Sequence, residues 1–230
     1  MPQNRKKTQS MDKRGFGQSR FGTHRPHYVY DDTPDERITV AEKFPKTSWK
    51  PGCMLAPVPA VLVSCGGARG CKANILTVAW TGTVCTTPPM LSLSIRPERY
   101  SHDIIANTRE CVVNIPTARL ARATDWCGVR SGRDHDKFEE AHLTPMKASQ
   151  VAAPMIAECP INLECKVTRI LPLGSHDLFL AEVVAVHVSS DFLDKKGKLR
   201  LDKAELLAYA HVEYYILGKK IGFFGFSVKK

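Results

Sequence analysis

Residues 74–105 read NILTVAWTGTVCTTPPMLSLSIRPERYSHDII, and the alternation in this stretch decides how the rest is read. Side chains alternate across a strand. Over Asn74–Thr81, Ile75, Thr77, Ala79 and Thr81 share one small, half-polar face, with Leu76, Val78 and Trp80 on the other. Over Met90–Arg96, Leu91, Leu93 and Ile95 point one way and Ser92, Ser94 and Arg96 the other. The stretch therefore predicts two strands, the second preceded by Pro88-Pro89. Past Arg96 come Pro97-Glu98-Arg99-Tyr100-Ser101-His102, where Ser101 is expected to cap a short helix running to Asn107, with Asp103 in its first turn.

More strands flank this stretch. Pro57–Cys65 (PVPAVLVSC) is apolar, β-branched and ended by Gly66-Gly67; Cys111–Ile115 is another short run. Two long strands are expected over Ile161–Ile170 and Leu178–Val188, the second (LFLAEVVAVHV) apolar enough to cross the middle of the core. Short helices are expected from Thr117 through Trp126 and over His135–Ala141. The pattern predicts a mainly β fold with peripheral helices, a barrel with helices packed outside it. The folded body is expected to occupy residues 49–230.

The first 48 residues read differently. Residues 1–27 carry seven Lys or Arg against Asp12, a large share of the net charge of +10, among Gly, Ser and Gln. That composition predicts a basic, disordered tail, solvated rather than a nucleic-acid arm, with residues 28–48 as a linker arm. The chain has no run of 18 apolar residues and no apolar stretch after Met1, so neither a membrane helix nor a secretory signal is expected, and the cytoplasm is the expected location. Eight cysteines contain no Cys-x-x-Cys pair, which argues against a zinc ribbon or redox disulfide motif, and no metal ligands are assigned.

Three segments carry candidate chemistry. At the end of the Met90–Arg96 strand, Ser94, Arg96, Arg99, Tyr100, Ser101 and His102 converge on a helix start, where free N–H groups, a hydroxyl and two guanidiniums make a phosphate site, with Arg96 as the principal charge and Arg99 its rival. The plainer alternative is that Ser101 only caps the helix and both arginines are solvated. The small face of Asn74–Thr81 offers a flat aromatic ring an apolar bed with donors, while alternation sends Trp80 to the core or a subunit interface. The loop around Asp125–Phe138 is glycine-hinged and charged, and Cys127 at its start is singled out because it leads into polar sequence. Tyr209 and His211 stand in a C-terminal segment of aromatics, glycines and lysines expected to lie across a surface or site. Rossmann, P-loop, serine-hydrolase and zincin motifs are missing.

Read in order, NILTVAWTGTVCTTPP, SIRPERYSHDII, CVVNIPT, DWCGVRSGRDHDKFEEAHLTP, AECPINLEC, GSHDLFLAEVVAVHV and GFFGFSVKK resemble the flavin reductase-like FMN-binding split-barrel proteins, in particular their flavoredoxin-like branch. The resemblance covers residues 49–230 and leaves out the tail. It implies a six-stranded Greek-key split barrel, FMN held near a homodimer interface, Asn74, Thr77, Val78, Ala79, Trp80 and Thr81 along the ring and ribityl chain, and Arg96 through His102 at the phosphate. It also implies an FMN-dependent oxidoreductase or NAD(P)H-dependent flavin reductase, with NAD(P)H or a redox protein as donor and a flavin or redox protein as acceptor, or an electron carrier without nicotinamide activity. No side chain is assigned as acid, base or nucleophile. A nucleic-acid-binding barrel is a remote alternative, since the strands show Ser, Thr and Val where such a face needs aromatics and lysines.

Overall fold

The computed structural model describes residues 43–68 and 70–228. The basic tail of residues 1–27 and most of the linker arm lie outside the described residues. The chain divides into two compact units. The larger spans Thr47–Ile221; residues 43–46 and 222–228 fall in the other, where Phe223 and Phe226 meet edge-to-face at 6.3 Å.

The larger unit runs, in chain order, β1 (Val58–Pro59), β2 (Val61–Cys65), β3 (Asn74–Val78), β4 (Thr81–Cys85), β5 (Met90–Ile95), α1 (Tyr100–Thr108), β6 (Glu110–Ile115), α2 (Ala121–Val129), α3 (Lys137–Glu140), β7 (Pro145–Met146), β8 (Met155–Ile156), β9 (Ile161–Pro172), β10 (Asp177–Val188), β11 (Leu207–Ala210) and β12 (Glu213–Ile216). Seven strands form one antiparallel sheet in the order β3-β2-β6-β9-β10-β5-β4. Its two edge strands, β3 and β4, are separated in sequence only by Ala79 and Trp80, so the sheet has to curl until its edges meet. This is a split barrel, mainly β with peripheral helices. The expected six strands become seven because the strand read as continuous over Asn74–Thr81 breaks at Ala79-Trp80: the Trp80 carbonyl accepts the Ser94 N–H at 2.9 Å, and Thr81 then pairs with Leu93 on the opposite edge.

Alternation fills the barrel. Val61, Val63, Cys65, Leu76, Val78, Leu91, Leu93, Ile95, Cys111, Val113, Cys165, Val167, Phe179 and Ala181 point inward, and Ile104 and Ile105 of α1 join them. The residues between them face outward and are covered separately. Leu62 and Ile75 pack with Cys127 and Phe138 of α2 and α3, while Val112 packs under Ala148, Val151, Ala153 and Met155. β10 departs from expectation. Only Phe179 and Ala181 are buried; Val184 is half-buried against the cluster around Val112, and Val186 is exposed. A small second sheet, β1-β11-β12, joins the start of the strand expected over Pro57–Cys65 to the C-terminal segment, where no strand was expected. It pairs Val58 with Tyr209 and Tyr209 with Tyr214.

One buried charge holds the loop that covers β6. The Glu164 carboxylate is fully buried and accepts the backbone N–H groups of Ser149, Gln150 and Val151, the Ser149 hydroxyl and the His187 imidazole. Burial alone would raise its pKa, but these donors outweigh burial and bring it down to about 2. A carboxyl depressed in the folded state stabilises the fold above its ordinary value of 4.5, and that contribution disappears as pH falls through about 2. Glu164→Ala, which strands several buried donors, is expected to lower unfolding free energy by about 3 kcal/mol near pH 7, with the gap to wild type closing in acid. Urea denaturation of both proteins between pH 7 and pH 2 measures it; a gap independent of pH contradicts the assignment.

Candidate functional site

The break at Ala79-Trp80 leaves an opening at the barrel seam, and three adjoining cavities lie around it. The first, about 280 Å³, is lined by Leu76, Thr77, Val78, Ala79 and Trp80, by Ser94, Ile95, Arg96 and Arg99, by Asp125, Gly128 and Val129 of α2, and by His176, Tyr209 and Tyr214. The second, about 150 Å³, is small and cationic: Arg99, Arg130, Arg133 and Lys137 line it with Asn74, Leu76, Glu98, Tyr100, Ser101, Ser131 and Gly132. Leu76 and Arg99 belong to both, so the two adjoin. The third is an apolar groove of about 570 Å³ on the other side of Trp80, lined by Met54, Leu55, Val58, Thr81, Val84 and Val212 among others, and it shares Ala79, Trp80, Ser94 and Tyr209 with the first.

Two loops build the cationic pocket by reaching across to each other. Arg99, before α1, donates to the Gly128 carbonyl at 3.0 Å; Arg133, after α2, donates to the Glu98 carbonyl at 3.2 Å and lies 5.5 Å from the Tyr100 ring. Lys137, at the start of α3, is buried, and its ammonium donates to the Ile75 carbonyl at 2.8 Å and the Cys127 carbonyl at 2.7 Å. Burial brings its pKa down to about 8. Beneath the loops, the Asn74 Nδ2 donates to the Ser101 hydroxyl at 2.7 Å. The first turn of α1 faces this pocket through Tyr100 and Ser101, and no side chain caps it. An uncapped helix start among four cations is a receptor for a compact anion such as a phosphate monoester.

The first cavity is a slot walled on one side by aromatic rings. Tyr209 packs 6.2 Å from Trp80 and 5.6 Å from Tyr214, whose hydroxyl donates to Asp125 at 3.3 Å. Burial, with the Asp125 charge adding to it, raises the Tyr214 phenol to about 12, so it remains a neutral donor.

The candidate residues sort unequally. Thr77, Val78, Ala79, Trp80, Ser94, Arg96 and Arg99 line the slot, Thr81 lines the apolar groove, and Asn74, Arg99, Tyr100 and Ser101 line the cationic pocket. Several roles change. Trp80 is not in the core but 45% exposed, because strand alternation ends at Val78. The face of Ile75 and Thr77 is no open bed: Ile75 is covered by α2 and α3, and the Thr77 hydroxyl donates to the Thr124 carbonyl. Ser101 does not cap α1; Arg99 holds that position and Ser101 sits buried in the first turn. Arg96 and Ser101 line different cavities, and the Arg96 guanidinium is paired with Glu98 at 3.3 Å. His102 lines none of these cavities. Its ring is held between Asp103 and Asp177, each at 2.9 Å, and although burial opposes it, the two carboxylates raise its pKa. The Cys127 thiol is buried beside Leu62, Ile75 and Phe138, and burial raises it to about 11, so it does not face the slot. Arg130, Arg133 and Lys137 were not singled out from the sequence. The one signal for them was the density of charge between Gly128 and Phe138.

The fold and this arrangement define a split-barrel protein with an aromatic-walled slot beside a cationic pocket. Residues 53–218 match the family model described as flavin reductase like domain, and the chain belongs to that family. The structure is similar to the flavoredoxin of Desulfovibrio vulgaris (Miyazaki F), with a TM-score of 0.72 at 29% identity, covering 77% of this chain and 96% of that one. It is similar also to the flavoredoxin of Methanosarcina acetivorans, with a TM-score of 0.72 at 26% identity, covering 81% and 100%. An uncharacterized protein of Archaeoglobus fulgidus is 34% identical over 125 residues, 54% of this chain and 71% of that protein.

Gly132 tests the construction of the pocket. A Cβ there would stand 2.1 Å from the buried Asn74 Oδ1 and 2.5 Å from its Cγ, so the loop lies against the amide only because this residue has no side chain. Gly132→Ala is expected to cost about 1–3 kcal/mol of stability as the loop is pushed off. Gly82→Ala, where a Cβ meets nothing within 4 Å, is expected to change stability by less than about 0.5 kcal/mol. Equal effects in urea denaturation would contradict the packing described.

Proposed function

We propose that the chain binds FMN non-covalently and passes reducing equivalents through it, from NAD(P)H or a reduced redox protein to a flavin or redox-protein acceptor. The observation that carries this reading is the junction of the slot and the cationic pocket at Leu76 and Arg99. A flat ring with a terminal phosphate monoester needs one cavity of each kind, open to each other. The fit is good on the phosphate side, where an uncapped helix start and four cations converge, and on the ring side, where Ala79, Trp80, Tyr209 and the Tyr214 hydroxyl offer an aromatic wall and a donor. FMN, when bound, supplies the redox chemistry. The chain's own residues hold the phosphate, seat the ring, exclude water on one face and leave the other open to a partner. The similarity to two flavoredoxins supports the electron-carrier form of the reading as well as the reductase form.

In this reading the phosphate charge passes from Arg96, the residue favoured by sequence, to Arg99. Arg99→Ala is expected to cost about 1.5–3 kcal/mol of FMN affinity and to leave riboflavin, which has no phosphate, nearly unaffected. Arg96→Ala is expected to cost less, since its guanidinium lines the slot and is already paired with Glu98. Equilibrium titrations with both ligands check this; equal losses for FMN and riboflavin in Arg99→Ala would place Arg99 with the fold or the ring.

The reading includes a homodimer and a cytoplasmic location. The apolar groove beside Trp80, with Met54, Leu55, Val84 and Val212 exposed around it, and β10 around the exposed Val186 are the surfaces a second copy would bury. Eight free thiols agree with a reducing compartment. Sedimentation at micromolar concentration is expected to give a dimer, and Leu55→Asp with Val212→Asp is expected to shift it to monomer; a wild-type monomer contradicts the proposal.

A further inference from the structure

Lys137 is an unusual occupant of the cationic pocket. Arginines supply the other three positive charges and stay protonated at any ordinary pH. Lys137 is 3% exposed, and both carbonyls that anchor it, Ile75 on β3 and Cys127 on α2, belong to the scaffold. An ammonium has three N–H donors and a neutral amine has two plus a lone pair. With two N–H groups given to the two carbonyls, the third position of the nitrogen is either a proton or a lone pair. Toward an anion in the pocket the first donates and the second repels.

We propose that Lys137 is the conditional charge of this pocket: a phosphate ester bound there keeps the third proton on the nitrogen, so that phosphate binding and Lys137 protonation favour each other. The inference rests on the FMN reading and deepens it by making loading of the site sensitive to pH. Burial already holds the Lys137 pKa near 8, close enough to neutrality for the coupling to be felt.

The other groups around the nitrogen do not change charge between pH 7 and pH 9. Arg99, Arg130 and Arg133 remain cations. On the scaffold side, Cys127 is pushed up to about 11 and Cys65 to about 12 by burial, so both stay as thiols. Glu98 in the pocket wall and Asp136, the residue before Lys137, both have lowered pKa values and stay ionised, Asp136 being bonded to Lys72 at 3.0 Å. Tyr100 completes the wall. A phosphate monoester, with its second pKa about 6, is a dianion across the same range. The titration that remains is the one on Lys137.

The sign follows from linkage. Below about 8 the ammonium is present before binding, and affinity is flat; above it each binding event has to take up a proton, and affinity falls. The test measures dissociation constants of FMN, riboflavin and inorganic phosphate for the full chain at intervals from pH 7 to pH 9. FMN is expected to weaken roughly tenfold over this range, inorganic phosphate to weaken less because its own second ionisation falls near the start of the range and supplies more dianion as pH rises, and riboflavin to stay constant. Lys137→Met, close in volume and unable to titrate, is expected to bind FMN more weakly at pH 7 and to lose the pH dependence, with riboflavin binding reporting that the slot is intact. An FMN constant flat across the range, or riboflavin weakening in parallel with FMN, overturns the inference while leaving the FMN reading standing. Phosphate weakening with pH in a chain that takes up no FMN upholds the inference and sinks the FMN reading. Failure of all three ligands to bind at any pH overturns both.

Discussion

The structure turns on two residues, Ala79 and Trp80, between the first and last strands of one sheet. Since β3 and β4 are consecutive in sequence but lie at opposite edges, the sheet has no choice but to close on itself, and the Ser94 N–H to Trp80 carbonyl bond at 2.9 Å shows the chain already joined to β5 just before β4 begins. Closure gives the inward side chains a sealed core, from Val61 and Val63 to Phe179 and Ala181. It also leaves a seam, because Trp80 lies at the break and stands 45% exposed between two cavities. The site therefore follows from the same constraint that makes the barrel.

The chemistry at the seam is divided between elements that cannot form it separately. β5 brings Ser94 and Arg96, α1 brings an uncapped helix start, α2 and the loop after it bring Arg130 and Arg133, and Lys137 ties that loop back to β3. The crossed pair of contacts, Arg99 to Gly128 and Arg133 to Glu98, makes the two loops hold each other in place. Arg99, Arg133 and Lys137, which would repel one another, are each anchored to a carbonyl dipole rather than to a carboxylate, which leaves net positive charge for an incoming anion.

Much of this was legible in the sequence where periodicity is strong. The strict alternation of Leu91, Leu93 and Ile95 against Ser92 and Ser94 gave β5 and its half-buried polar face, and β-branched runs gave β2, β6, β9 and β10. The helix start after Arg99 was visible from Pro97 onward. What failed was whatever depends on closure. Alternation carried through Ala79 and Trp80 as though the strand were continuous, which hid β4 and sent Trp80 to the core or a subunit interface, of which its exposure excludes the core. β11 and β12 were missed because short, half-exposed strands such as Glu213–Ile216 have no apolar periodicity. The cationic pocket was legible by half: Ser101 and Arg99 lie next to the helix start in sequence, whereas Lys137 reaches it from 62 residues beyond Ile75. A lone lysine before a Phe-Glu-Glu run reads as a surface residue until tertiary packing buries it.

The central claim is that one seam joins a ring slot to a phosphate pocket built on Arg99 and the start of α1. A crystal structure of the full chain grown with FMN tests it most directly. The account predicts the phosphate within hydrogen-bonding distance of Arg99 and the first-turn N–H groups of α1, with the isoalloxazine ring in the slot between Ala79 and Tyr209. Flavin seated elsewhere on the barrel, or its phosphate turned toward solvent and away from the α1 start, would contradict the account.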